Sequence, residues 1–113
     1  MKTEKPWGYE ILHCHTDRIA AKTLFMKEGF CCSLQLHSAK FEILFIQSGK
    51  MKLTVGLDVN ELKEIILTPG DVYVLPPNTI HRCEAIDGDL LYFESSTPEL
   101  TDITRFSDLY GRT

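Results

Sequence analysis

Short apolar segments, rich in Val, Ile, Leu, Phe and Tyr and each broken within five to eight residues by Gly, Pro, Asn or Asp, recur along this chain. That rhythm constrains the fold more than any other feature, because it suits short antiparallel strands joined by tight turns. Candidate strands lie at 9–15, 19–27, 32–37, 42–48, 50–56, 62–67, 72–75, 80–86 and 89–95. Lys27-Glu28-Gly29, Ser48-Gly49-Lys50, Leu57-Asp58-Val59-Asn60, Thr68-Pro69-Gly70-Asp71, Pro76-Pro77-Asn78 and Asp87-Gly88-Asp89 supply the turns. With no amphipathic helix among them, the expectation is an all-β sandwich or closed barrel. One segment departs from the pattern: Thr101 or Asp102 would cap a short helix that aligns Ile103, Phe106, Leu109 and Tyr110.

The chain has 113 residues and 43% hydrophobic content, enough for one buried core, so a single domain over 1–113 is expected. Twelve basic residues against 16 acidic ones give a net charge of −4 with no Lys/Arg cluster, which argues against nucleic acid or an anionic membrane as partner. No apolar run has the length of a membrane span, and Met1 to Trp7 lacks a secretory hydrophobic segment, so the expected compartment is the cytoplasm. There the four cysteines would stay reduced. Cys31 and Cys32, on opposite faces of a strand, are expected to be one core and one half-exposed residue.

Gln35 and His37 stand two apart on a strand and therefore share a face. If Ser38-Ala39-Lys40 turns the chain, Glu42 opens the next strand toward the same interior, and His81 arrives from beyond the Pro-Pro-Asn turn. An amide, two imidazoles and a carboxylate at these spacings suit one divalent cation, with positions left for water or substrate oxygens. Taken singly, each has an ordinary reading as a satisfied core or surface group. Glu42 is harder to dismiss, since it begins Ile43-Leu44-Phe45-Ile46 and a buried carboxylate without a cation is costly.

Gly29-x5-Gln35-x-His37-x4-Glu42-x6-Gly49, followed by Gly70-x5-Pro76-x-Asn78-x2-His81, resembles the paired motifs of the cupin superfamily. The fold this implies is a double-stranded β-helix, or jelly-roll barrel, that holds a metal through Gln35, His37, Glu42 and His81. Gln35 stands where the general pattern has histidine, Asn78 where it has glycine, and Ala85 where it has asparagine. Asparagine tolerates the left-handed backbone that glycine would supply.

Gln-x-His-x4-Glu is similar to the cupin part of type II mannose-6-phosphate isomerases, including the C-terminal domain of mannose-1-phosphate guanylyltransferase/isomerases. Lys5-Pro6-Trp7-Gly8 with Glu10, Ser33-Leu34-Gln35, and Asp102-Ile103-x-Arg105-Phe106-x-Asp108-x-Tyr110-Gly111-Arg112 extend the likeness over nearly the whole chain. The resemblance implies aldose–ketose isomerisation of a sugar phosphate, in which a divalent ion (Zn first, with Mn, Fe, Co or Ni as alternatives) acidifies the α-proton and stabilises an enediolate. It also implies Arg105 as a catalytic clamp for enediolate or phosphate charge; a surface arginine paired with Asp102 or Asp108 is the ordinary alternative. Lys22 falls where this family carries lysine and, if desolvated in the barrel, would serve as base; solvent exposure is its alternative. Ser38-Ala39-Lys40 replaces the family's further histidines and arginine, and Thr97-Pro98-Glu99-Leu100-Thr101 replaces an acidic glycine-containing stretch, so mannose 6-phosphate itself is not assigned.

Competing readings are a non-catalytic, metal-containing sugar or nucleotide-sugar binder, and another small-molecule cupin enzyme such as an epimerase, oxygenase or lyase. His13 and His15 read as an exposed edge, Trp7 as a plug at the barrel end, Cys83 as an inert packed thiol, and Tyr73 and Tyr92 as core. Exposed edge strands of a small barrel want covering, so a homodimer is expected.

Overall fold

A computed structural model describes residues 1–108. Its strands are β1 (Lys2–Lys5), β2 (Gly8–His15), β3 (Ala20–Met26), β4 (Leu34–Leu36), β5 (Glu42–Gly56), β6 (Lys63–Leu67), β7 (Val72–Leu75), β8 (Ile80–Ser96) and β9 (Thr104–Ser107), with no helix among the described residues. Every pairing is antiparallel. The two long strands belong to both walls of the barrel. The first half of β5 pairs with the second half of β8, next to β7 on one side and β3, β2 and β1 on the other; the second half of β5 pairs with the first half of β8, next to β6, β4 and β9. A closed barrel is one of the two forms the alternation predicted, and the jelly-roll form is what the resemblance implied.

Two expected turns prove to be bends inside these strands. At Gly49 the register of β5 slips, and the backbone passes so close to β8 that an added Cβ would sit 2.2 Å from the Asp89 carbonyl oxygen; with φ at +86° only glycine is at ease there. Opposite, Asp87 and Gly88 take φ values of 55° and 125° and let β8 turn the same corner.

The expected helix is a strand. Thr104–Ser107 forms β9 and pairs with β4, placing Gln35 opposite Arg105 and Leu36 opposite Thr104. The physical reason lies in tertiary demand: β4 has β8 on one side and needs backbone partners on the other. Asp102, expected as a helix cap, instead accepts the N–H groups of Ser38, Ala39 and Lys40. Leu109 and Tyr110 of the expected helix, and Gly111 and Arg112 of the closing signature, lie outside the described residues. Cys31 and Cys32 are both buried, which corrects the half-exposed expectation for one of them: the backbone of Cys31 forms an antiparallel bridge with Glu84 of β8, and the Arg82 charge acts on its thiol. All four cysteines are unbridged, and no described helix is long and apolar enough to cross a membrane.

Inside the barrel, strand parity sets a gradient. Counting inward by twos, β5 reads Glu42, Leu44, Ile46; β8 reads Glu94, Tyr92, Leu90 and His81, Cys83, Ala85; β3 reads Lys22, Leu24, Met26. Polar groups therefore collect at one end, while Met26, Ile46, Met51, Leu53 and Leu90, all fully buried, seal the other.

Candidate metal centre

A cavity of about 140 Å³, open to solvent, occupies the polar end. Strand register brings Arg105, Gln35 and His81 into one row across β9, β4 and β8, and side chains directly opposite on antiparallel strands share a face. His37 follows Gln35 by two residues. It meets the second motif where the Asn78 N–H donates to the His37 carbonyl at 2.7 Å, Asn78 holding φ of 66° in the Pro-Pro-Asn turn. That bond brings the two imidazole rings to a centroid separation of 5.3 Å.

One ligand-capable atom from each of His37, Glu42 and His81 lies within 4.8 Å of the others, and all three residues are buried. His37 Nε2 is 3.4 Å and His81 Nε2 3.1 Å from Glu42 Oε1. The other ring nitrogens are already committed: His37 Nδ1 donates to the Asp102 carbonyl, and His81 Nδ1 to the Thr79 carbonyl at 3.1 Å. A neutral imidazole that donates from Nδ1 has only a lone pair at Nε2. Three lone pairs thus converge on one point, and a cation or extra protons must separate them. Backbone carbonyls that fix Nδ1–H and free Nε2 are the usual support of metal-ligating histidines, so the donor set fits a divalent ion. Gln35 lines the same cavity, its amide oxygen accepting from Ser33 Oγ at 3.3 Å.

Several residues of the site carry no motif and were missed from sequence. Lys40 is 5% exposed and reaches both Glu42 Oε2 at 3.5 Å and Glu94 Oε2 at 3.2 Å. Burial alone would push the Glu42 carboxyl up, but hydrogen bonds from His37 and His81 and the charges of His81 and Lys40 hold it well below the usual range. Burial, with the Glu42 charge, raises Glu94 despite Lys40 and Lys22. Burial disfavours charge on Lys40, yet its two carboxylate partners outweigh that and raise it. Their signal was available as parity, since Lys40 is in phase with Glu42 and Leu44, and Glu94 with Tyr92 and Leu90.

Lys22 points into the cavity, as one of its two readings required, where its Nζ meets Glu10 Oε2 at 2.8 Å; Lys5 meets the other oxygen of Glu10 at 3.3 Å. Arg105 also lines the cavity. Trp7 is 4% exposed and forms part of the cavity wall beside Tyr92 and Cys83. His13 and His15 are exposed and bonded to Thr23 Oγ1 and the Pro98 carbonyl, on the part of β2 beyond the Gly8 to Ile11 stretch that pairs with β1.

A family model described as the cupin domain matches residues 23–90, more than half of the chain. Among curated proteins, the xanthan biosynthesis protein XanB of Xanthomonas campestris pv. campestris is 31% identical over 117 residues, covering 99% of this chain and 24% of that protein. The mannose-1-phosphate guanylyltransferase of Escherichia coli K12 is 31% identical over 113 residues (96% and 22%), and the alginate biosynthesis protein AlgA of Pseudomonas syringae pv. tomato 28% over 116 (99% and 23%). The chain thus spans about a quarter of the length of these relatives. Among solved structures, KdgF from Halomonas sp. superposes with a TM-score of 0.78 at 21% identity, covering 90% of this chain and 89% of that one. CapF from Staphylococcus aureus gives 0.82 at 20% (95% and 34%), and oxalate decarboxylase OxdC from Bacillus subtilis 0.80 at 20% (94% and 30%). At these identities the structures show the fold.

Proposed function

This chain belongs to the cupin family, and on that premise we propose that it is a metal-dependent isomerase of a sugar phosphate. The observation that carries the reading is the convergence of His37 Nε2, His81 Nε2 and Glu42 Oε1 with both Nδ1 atoms already committed to carbonyls. Relatives named for xanthan and alginate biosynthesis and as a mannose-1-phosphate guanylyltransferase support a carbohydrate substrate. His37, Glu42, His81 and Gln35 would hold one divalent ion, Zn first, with Mn, Fe, Co or Ni as alternatives. Bound there, the ion would act as a Lewis acid toward a carbonyl and its neighbouring hydroxyl.

The chain's own side chains do the rest. Arg105, in the same row as Gln35 and His81, offers a planar fork of donors to phosphate or to developing oxyanion charge. Lys22 carries the proton; because Glu10 pairs with its ammonium, it must first yield that proton before it accepts one from the substrate. Trp7, Leu24 and Leu44 line the inner wall and exclude water from the reacting carbons. The cytoplasm, a single domain over 1–113 and a homodimer complete the proposal.

Incubation with sugar phosphates in deuterated water tests it by NMR. Deuterium at C1 or C2, abolished in His81→Ala, is the expected result; binding without exchange overturns the isomerase reading. One observation favours the second reading, a non-catalytic sugar or nucleotide-sugar binder: Lys22 and Lys40 are both engaged by carboxylates, Lys22 by Glu10 and Lys40 by Glu42 and Glu94. Under that reading the same ligands bind and never exchange.

A further inference from the structure

Cys32 and Cys83 face each other across two chain segments beside the metal cage. The Cys31–Glu84 bridge sets the register that puts Cys32 opposite Cys83, and the Cys32 N–H donates to the Cys83 carbonyl at 3.0 Å. In the other direction the Cys83 N–H donates to Cys32 Sγ at 3.2 Å, while the Cys32 carbonyl accepts from Arg82 Nε at 3.1 Å. Cys32 Sγ also bonds with the Cys83 thiol and accepts from Gln35 Nε2 at 3.8 Å. One sulfur thus joins the second cysteine to a residue of the cage.

We propose that Cys32 and Cys83 are a peroxide-sensitive modification site, in which oxidation joins them by a reversible cross-strand disulfide that loosens Gln35 and weakens the hold on the ion. It deepens the functional proposal, resting on the metal cage for its consequence and not for the bond itself. Geometry selects this pair. Directly opposite residues on antiparallel strands have Cα atoms about 4.5–5.5 Å apart, inside the ~4.4–6.8 Å that a disulfide spans. Cys31 takes the alternate side of the segment, beside Arg82, and Cys14 lies on β2 opposite Ala21. Cys32 and Cys83 both line the cavity of about 140 Å³, which admits a peroxide little larger than a water of roughly 30 Å³.

Cys32 is the more exposed of the two, 8% against 3%, and its sulfur attacks one oxygen of hydrogen peroxide. The O–O bond breaks, leaving a sulfenic acid and one water. The Cys83 sulfur then attacks the sulfenic sulfur, whose S–O bond breaks, and the hydroxyl leaves with the Cys83 proton as a second water. Two thiols have given up two electrons and two protons, and the peroxide has become two waters. A dithiol reductant reverses the bond by exchange. Closing it draws Cys32 Sγ onto Cys83 and away from the Gln35 amide. Because Gln35 and His81 lie opposite each other on the same two segments, the pull reaches both. The Cys83 thiol, expected to be inert, becomes the resolving partner.

Chelator-treated protein exposed to hydrogen peroxide and quenched with catalase tests this by mass mapping of peptides alkylated without reduction and, on a separate sample, by calorimetric titration with Zn²⁺. A mass lower by two hydrogens and a cross-linked Cys32–Cys83 peptide are expected, with Cys14 and Cys31 alkylated. Zn²⁺ affinity should fall about 10–100-fold, the cost of losing the support of a metal ligand, and return after dithiothreitol and desalting. Cys83→Ser should lose both the cross-link and the response of affinity to peroxide; should it unfold, Cys32→Ala serves in its place. A bridge through Cys14 or Cys31, thiols at 32 and 83 that stay free under peroxide, or a Cys32–Cys83 bond that leaves Zn²⁺ affinity unchanged overturns the proposal. Failure of the metal cage would show already in the reduced protein, as absent Zn²⁺ binding, and is thereby told apart from failure of the bond.

Discussion

The two ends of the barrel interior are built on the same strands and differ by four residues of chain. Glu42, Glu94, His81 and Lys22 stand at the open end; Ile46, Leu90, Ala85 and Met26 stand four positions along at the closed end. At about 3.3 Å per residue, roughly 13 Å separates a cage of titratable groups from a dry core. The closed end needs only volume and apolarity. The open end needs every buried charge to meet a specific partner, since each would otherwise be costly to bury. One register thus serves both demands, because period-two alternation keeps each strand's inward set on one face.

Variants can break either end separately, and the largest effect is expected at the open one. Glu42→Gln preserves shape but removes the carboxylate charge that faces both imidazoles; solvent deuterium exchange into substrate should fall by at least about 100-fold, as for loss of a metal ligand or its support. Exchange at the wild-type rate would remove Glu42 from the chemistry. Next in size is Lys40→Met, which leaves Glu42 and Glu94 facing each other without their cation; urea unfolding of the metal-free protein should show about 3–5 kcal/mol of destabilisation. At the closed end, Leu90→Ala should cost about 3 kcal/mol in the same measurement. It should leave metal stoichiometry unchanged, and a lost ion there would mean that the two ends are not separable.

The smallest effect carries a pH signature. Glu10 resists the upward push of burial because Lys22 and Lys5 bond and attract its carboxylate, so its pKa in the folded state is lowered. A lowered carboxyl contributes stability above its unfolded pKa and loses it as pH falls through the folded value. Glu10→Gln should therefore be less stable than wild type by about 1 kcal/mol at neutral pH, with the gap closing below about pH 4. A gap constant with pH would show that packing, and not charge, is what the substitution removes.

Sequence legibility followed the same division. The strands could be read because alternation and turn residues act locally, and Asn78, with φ of 66°, does what the glycine of the family pattern would do. Gln35, His37, Glu42 and His81 could be read because their spacing spans a turn and a register that two short motifs encode. The roles of Lys40 and Glu94 could not, since lysine and glutamate usually face water and only their phase with apolar neighbours hinted otherwise. Helical spacing at 101–110 misled because β4 required a partner, a demand made far away in sequence. Likewise β5 and β8 read as four segments, because Gly49 and Gly88 signal turns locally and bends only in the paired sheet.

Calorimetric titration of chelator-treated protein with Zn²⁺ at neutral pH tests the metal cage most directly, run side by side on wild type, Leu90→Ala and His81→Ala. One ion per chain should bind wild type and Leu90→Ala, with affinity falling as pH drops and protons compete with the ion for its ligands; His81→Ala should bind none at micromolar ion. Wild type that takes up no divalent ion, or His81→Ala that binds one as tightly as wild type, would contradict the account.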